Sequence, residues 1–202
     1  LAEKFNISRN DQDQFAHNSQ RKAKSAQDSG IFKKEIVPVE VIQDKKSSII
    51  FDKDEFMRPE TTVEVLNKLR AVFKKDGTVT AGSSSGLNDG SASMLIASEK
   101  AINEFSFSPI AKIISSAVVG VEPRFMGIGP VMAAKKALSK ANLSMKDMNV
   151  IEINEAFSAQ VLACIREWGL SDDDERINPN GGAIALGHPL GMTGARIIQT
   201  AA

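Results

Sequence analysis

The chain has 202 residues, which suits one large or two small domains at ~100–200 residues each. Basic and acidic residues each number 25, so charge favours neither nucleic acid nor an anionic membrane as a partner. Hydrophobic residues make up 42%, enough for a core, and no apolar run approaches the ~20 residues that span a bilayer. The single cysteine excludes an internal disulfide framework and fits a reducing, cytoplasmic setting. No signal peptide is visible. Because the chain opens at Leu1 and stops at Ala202 within a helical pattern, a piece of a longer polypeptide is expected.

In chain order, residues 10–28 read as a polar helix with Asn10 as N-cap, sparse apolar positions at Phe15, Ala16, Ala23 and Ala26, and Gly30 as stop signal. Residues 36–42 read as a strand that Pro38 confines to an edge, 43–48 as a turn, and 49–51 as a short strand. A helix over 61–73 carries Val65, Leu69 and Val72. This first third is polar and predicts a peripheral subdomain. Residues 77–86 are small, hydroxyl-rich and glycine-rich: either a flexible linker or a loop that must approach something closely. A helix near 88–94 and a strand near 94–97 are expected next. From 109 onward strands (111–119, 150–153, 183–186) alternate with helices (130–141, 154–168, 189–202), a βαβα pattern that predicts a layered α/β architecture.

Cys164 shares a helical stripe with Phe157, Val161, Ile165 and Trp168, so its thiol is expected to be packed, raised in pKa and structural. Trp168 ends that stripe and reads as core. His17, among Gln14, Asn18 and Gln20, reads as a solvated surface histidine. The run Asp172-Asp173-Asp174-Glu175 reads as a solvated turn, because consecutive carboxylates lack the spacing of a calcium loop. Two residues invite chemistry. Asn154 follows a predicted strand and is either an N-cap or an amide aimed at a water or an oxyanion. His188 lies in the run Gly181-Gly182-Ala183-Ile184-Ala185-Leu186-Gly187-His188-Pro189-Leu190-Gly191-Met192-Thr193-Gly194-Ala195-Arg196 and is either a hydrogen-bonded turn residue or a proton carrier. Both follow predicted strands, and the C-terminal ends of strands are where α/β sheets gather ligand sites. The glycine-rich run fits neither a phosphate loop nor a dinucleotide fingerprint.

Four segments, in this order, resemble the thiolase family: residues 80–90 (Thr-Ala-Gly-Ser-Ser-Ser-Gly-Leu-Asn-Asp-Gly), Gly127-Ile128-Gly129-Pro130, Asn154-Glu155-Ala156-Phe157, and residues 181–196. Ser8-Arg9-Asn10-Asp11-Gln12-Asp13 and Glu35-Ile36-Val37-Pro38 resemble the family's loop region, so the likeness runs over essentially the whole chain. The related ketoacyl synthases carry a His-Gly-Thr motif where this chain has Asn154-Glu155-Ala156-Phe157.

The resemblance implies the family's layered αβαβα core, incomplete here, with a small loop subdomain. Residues 1–86 would be the loop subdomain on the coenzyme A side, 87–108 the last elements of the N-terminal core, and 109–202 a truncated C-terminal core. It implies acyl transfer between an enzyme cysteine and coenzyme A, with cleavage or Claisen formation of a 3-oxoacyl-CoA. Coenzyme A is then a substrate, and neither cofactor nor metal is implied. His188 matches the histidine that activates the thiol and helps stabilise the thioester oxygen, and Asn154 the asparagine that positions a water in the oxyanion hole. Ser85 matches a serine on the pantetheine arm and Arg58 an arginine near the adenine–phosphate end; Ala156 and Phe157 complete the coenzyme A side. Both family cysteines belong outside these 202 residues, so the isolated chain is expected to be inactive. Arg58-Pro59-Glu60-Thr61-Thr62, Val121-Glu122-Pro123-Arg124, Met126-Gly127-Ile128-Gly129-Pro130 and Asn178-Pro179-Asn180-Gly181-Gly182 resemble the 3-oxoadipyl-CoA branch most. An acetoacetyl-CoA enzyme and a non-catalytic coenzyme A-binding module are the alternatives. The family implies a homo-oligomer, dimer or tetramer, acting on acyl-CoA with no nucleic acid or membrane partner.

Overall fold

In the computed structural model, which describes residues 1–44 and 47–202, helix α1 (Arg9–Asp28) starts one residue earlier than expected. Ser8, not Asn10, is its N-cap. The Ser8 hydroxyl accepts from the Asp11 N–H at 3.0 Å while the Asp11 carboxylate accepts from the Ser8 N–H at 3.0 Å, a reciprocal capping box. The helix is not peripheral. It packs against α2 (Val63–Asn67), α5 (Ser158–Glu167) and α6 (Ala183–Leu186), with Gln12, Asp13, Ala16 and Ala23 fully buried. It is buried despite its polarity because Gln12, Asp13, Ser19 and Gln20 each make at least one hydrogen bond within the fold. Gln12 donates to Thr78 at 2.9 Å, Arg9 to Asp13 at 2.8 Å and Gln20 to the Ile184 carbonyl at 3.2 Å.

The second packing element is α5, whose residues Ser158 through Ile165 are all buried. An all-round buried helix belongs inside a core, and here that core joins Val161, Leu162 and Ile165 to Phe15, Leu66, Ile153, Ile177 and Ile184. Trp168 packs against it from the rim. Helix α2 is shorter than the expected 61–73. The Arg9 guanidinium donates to the Leu66 and Leu69 carbonyls at 2.6 and 2.8 Å, which satisfies the helix end and lets the chain turn away. His17 is tied down rather than solvated, its Nδ1 lying 2.9 Å from the Thr61 carbonyl.

The strands differ most from expectation. A two-stranded antiparallel hairpin, β1 (Val39–Ile42) with β2 (Ser48–Phe51), pairs Val39 with Phe51 and Ile42 with Ser48, all exposed. The turn expected over 43–48 is closed by the Gln43 N–H on the Ser47 carbonyl at 3.0 Å, and its Lys45 and Lys46 lie outside the described residues. Neither the helix near 88–94 nor the strand near 94–97 forms; α3 (Glu99–Phe105) begins only after Ser98, its N-cap. Residues 111–119 pair with no strand; Lys136 and Lys140 donate to the Val118 and Ser116 carbonyls, and Ile113 and Val118 are exposed. A β-branched run becomes a strand only when a neighbour takes its backbone hydrogen bonds.

The strand expected at 150–153 reduces to one parallel bridge, Ile151 to Ile177. The Asn178 side chain extends it, accepting from the Ile153 N–H at 2.8 Å and donating to the Ile153 carbonyl at 2.9 Å, as a backbone amide would. Residues 183–186 are the helix α6, not a strand. Helix α4 (Gly129–Lys140) matches the expected 130–141 closely, with Pro130 in its first turn. The last helix, α7 (Thr193–Ala201), starts after a turn in which the Pro189 carbonyl accepts from the Met192 and Thr193 N–H groups. The result is mixed α/β, helices with one small two-stranded sheet among the described residues.

Candidate active site

Four stretches of chain meet around His188. The first is the loop over 80–86, which is no flexible linker. Thr80 and Ser83 are fully buried and cap a 3-10 turn over Ala81–Ser83 reciprocally, and the Ser84 hydroxyl donates to the Thr80 carbonyl at 2.6 Å. The loop then pairs with the second stretch: Ser84 bridges Phe157 in antiparallel fashion, and the Ser85 N–H donates to the Ala156 carbonyl at 3.0 Å. Ser85, Ala156 and Phe157 are thereby brought together. Phe157 remains exposed and meets Phe73 edge to face at 5.6 Å.

The second stretch, 151–157, carries Asn154. Helix α5 begins only at Ser158, with Phe157 at its N-cap position, so Asn154 is not a cap. Its amide Nδ2 instead lies 3.2 Å from His188 Nε2, and its Oδ1 is buried without a partner. The next residue, Glu155, anchors the stretch from below. Its carboxylate is 1% exposed and accepts from the Ser19 hydroxyl at 2.6 Å, the Asn178 amide at 2.9 Å and the Ile184 N–H at 3.1 Å. Burial pushes its pKa up, and those three donors work in the opposite direction.

The third stretch is the turn that presents His188. Gly187 has φ of +93°, where side chains are rarely tolerated, and a Cβ there would sit 2.4 Å from Asn88 Oδ1. That same Asn88 oxygen accepts the His188 N–H at 3.3 Å. Asn88, Leu87 and Asp89 form the fourth stretch and, with His188 and Leu190, line an open pocket of about 240 Å³. On its far side the imidazole Nδ1 lies 2.8 Å from the Thr193 hydroxyl, which lies 2.9 Å from the Pro189 carbonyl. Burial and the Arg196 positive charge both hold His188 below the usual histidine pKa, which favours the neutral ring.

Arg58 is not part of this group. Its side chain is exposed and its N–H donates to the Gln20 side chain at 2.8 Å, on the first part of the chain. Cys164 is fully buried, with its thiol on the Gly127 carbonyl at 3.3 Å and burial raising its pKa to about 11, as a packed structural thiol should be. The run 172–175 forms the expected turn, with Asp173 and Glu175 exposed, while Asp172 and Asp174 pair with Arg166 and Arg176, each at 2.6 Å. Among the described residues no cluster of three metal-ligating side chains occurs, and no helix is long and apolar enough to cross a membrane.

Several residues at the site carried no expectation: Thr193, Asn88, Arg196, Glu155 and Asn178. Thr193 and Arg196 lie in the same glycine-rich run as His188, and Glu155 lies beside Asn154. Proximity in sequence was the available signal. Their partners, 23 to 136 residues away for Glu155, are visible only in three dimensions.

Residues 1–100 match the family description "Thiolase, N-terminal domain" and residues 107–202 match "Thiolase, C-terminal domain". The chain is 56% identical over 201 residues to a beta-ketoadipyl-CoA thiolase of Acinetobacter baylyi, covering 100% of this chain and 50% of that protein. It is 53% identical over 202 residues to the 3-oxoadipyl-CoA/3-oxo-5,6-dehydrosuberyl-CoA thiolase of Escherichia coli, again spanning 50% of the relative's length. Among solved structures it superposes on the Bacillus anthracis acetyl-CoA acetyltransferase with a TM-score of 0.93 at 44% identity, covering 100% of this chain and 50% of that one. Human mitochondrial 3-ketoacyl-CoA thiolase gives 0.90 at 47% identity, covering 99% and 50%. Two family matches that together account for nearly every residue, and a shared fold over the whole length, leave one conclusion: the chain belongs to the thiolase family.

Proposed function

We propose that this chain is the half of a 3-oxoadipyl-CoA thiolase that carries the asparagine–histidine part of the acyl-transfer site. The observation that carries the reading is the 3.2 Å contact between Asn154 and His188 beside an open pocket. A neutral imidazole can take the proton of a thiol, and the resulting thiolate can attack the C3 carbonyl of a 3-oxoacyl-CoA. The C2–C3 bond then breaks, the acetyl-CoA enolate takes up a proton, and the enzyme-bound acyl group passes to the sulfur of a second coenzyme A. Cys164 is too deeply packed to serve, so the reacting thiol comes from outside these residues. Ser85, Ala156 and Phe157 would flank the pantetheine arm, with Arg58 toward the adenine end. The reading assigns no resident cofactor.

The substrate follows the names of the relatives from Acinetobacter baylyi and Escherichia coli. Cytoplasmic residence and a homo-oligomer belong to the same reading. Exposed apolar residues such as Leu95, Ile110 and Val118 support association with further protein surface. The test uses the full-length protein. Thiolysis of 3-oxoadipyl-CoA should be faster than that of acetoacetyl-CoA, with products separated chromatographically. Preference for acetoacetyl-CoA would overturn the substrate, and binding of coenzyme A with no thiolysis of either would reduce the protein to a binding module.

A further inference from the structure

Thr193 is 4% exposed, and its hydroxyl lies between two groups that can each hydrogen-bond to it. One is the Pro189 carbonyl at 2.9 Å, four residues back, a bond of the kind threonine makes in the first turn of a helix. The hydroxyl donates to that carbonyl, which also accepts the Met192 and Thr193 N–H groups. The other is His188 Nδ1 at 2.8 Å. With its proton committed to Pro189, the Thr193 oxygen can serve Nδ1 only as an acceptor, and Nδ1 must carry the hydrogen. In the neutral ring Nε2 is then a bare lone pair. It faces the Asn154 amide nitrogen at 3.2 Å, a donor, which agrees with that protonation.

We propose that Thr193 is a positioning residue that sets the His188 tautomer, placing the proton on Nδ1 and leaving Nε2 as the proton acceptor at the site. The consequence reaches Asn154. A donor must face the Nε2 lone pair, so the amide cannot rotate to offer Oδ1 there. Oδ1 is thereby held buried and unpartnered, ready for a donor that enters the site. An isolated histidine slightly favours the opposite tautomer, so the arrangement needs an enforcing group, and Thr193 is that group. Burial, and then the charge of Arg196, disfavour the imidazolium and so favour the neutral form to which the choice of tautomer applies. The functional weight of the inference rests on His188 acting as the base; the tautomer itself does not.

The test is a long-range proton–nitrogen correlation spectrum of the full-length protein labelled with ¹⁵N-histidine, recorded above the His188 titration. This chain has two histidines. His17 serves as the internal reference, because its Nδ1 faces the Thr61 carbonyl, which also demands Nδ1–H. Wild-type His188 should show the Nδ1–H pattern, Thr193→Ser should retain it, and Thr193→Val should convert it toward Nε2–H while His17 stays unchanged. An Nε2–H pattern in the wild type, or an Nδ1–H pattern that survives in Thr193→Val, overturns the proposal. The wild-type spectrum alone decides if the valine variant does not fold. Turnover measured on the same samples separates the two readings: an Nδ1–H ring in a protein without thiolase activity would refute the function and leave the tautomer assignment standing.

Discussion

At the scale of single residues, His188 and Asn154 are 34 positions apart in sequence and 3.2 Å apart in space, and each is placed by neighbours that do no chemistry. In the full-length protein His188→Ala should lower kcat by ~10²–10⁴-fold, the span for a positioned acid/base group. Coenzyme A binding should survive, because the imidazole is assigned to proton transfer. A loss confined to KM in steady-state kinetics would contradict that role. Gly182 is a second informative position. A Cβ there would sit 2.3 Å from the Glu155 carboxyl carbon, and Glu155 is locked by three donors and cannot retreat. Gly182→Ala should therefore cost ~1–3 kcal/mol, the range for overpacking a filled interior. Urea denaturation would show it as a lowered midpoint at unchanged slope, and an unchanged midpoint would mean that Glu155 has freedom to move.

At the scale of elements, the loop over 80–86 and the stretch 154–157 form one unit through the Ser84–Phe157 bridge and the Ser85–Ala156 hydrogen bond. Because Ser85 uses its backbone for this join, removing its hydroxyl should leave the unit intact. Ser85→Ala should weaken coenzyme A binding several-fold in the full-length protein, consistent with one hydrogen bond of ~0.5–1.5 kcal/mol. Calorimetric titration of coenzyme A decides the matter. Equal dissociation constants would take Ser85 out of the binding site, and a loss of secondary structure by circular dichroism would show that the hydroxyl has a structural duty.

At the scale of the whole molecule, buried carboxylates link stability to pH. The Glu152 side chain is 3% exposed, and burial raises its pKa from an ordinary 4.5 to about 7, against the opposing pull of Arg196 at 3.6 Å. Glu155 is shifted in the same direction by burial. The folded state thus holds a proton that the unfolded chain has released between about pH 4.5 and 7. Glu152's contribution is fully present below the unfolded pKa and is lost as pH rises through the folded one. At about 1.4 kcal/mol per unit the change is about 3 kcal/mol. Urea unfolding at pH 5 and pH 8 should show the wild type weaker at pH 8, with Glu152→Gln reducing that difference by about this amount. An identical pH dependence in wild type and variant would mean that Glu152 is ionised in the folded protein throughout.

What the sequence determined by itself was everything encoded in short range. Motifs in fixed order identified the family, and periodicities of three and four located α4 and the packed face around Cys164, because a helix draws its hydrogen bonds from its own segment. The positions of Asn154 and His188 were legible for the same reason, as polar residues inside distinctive local runs. Tertiary structure alone decided the remainder. Whether 111–119 or 183–186 is a strand depends on a neighbour's backbone, which no local pattern contains; the first pairs with no strand, and the second winds into a helix with the Ile184 N–H on the Glu155 carboxylate. The polar α1 became a core helix because Gln12 and Ser19 found partners 66 and 136 residues away, and burial of a polar group is tolerable only once such partners arrive. The chemistry of His188 follows the same division: the residue type supplies a titratable ring, and the Thr193, Asn154 and Asn88 contacts, with burial and Arg196, decide its orientation and charge.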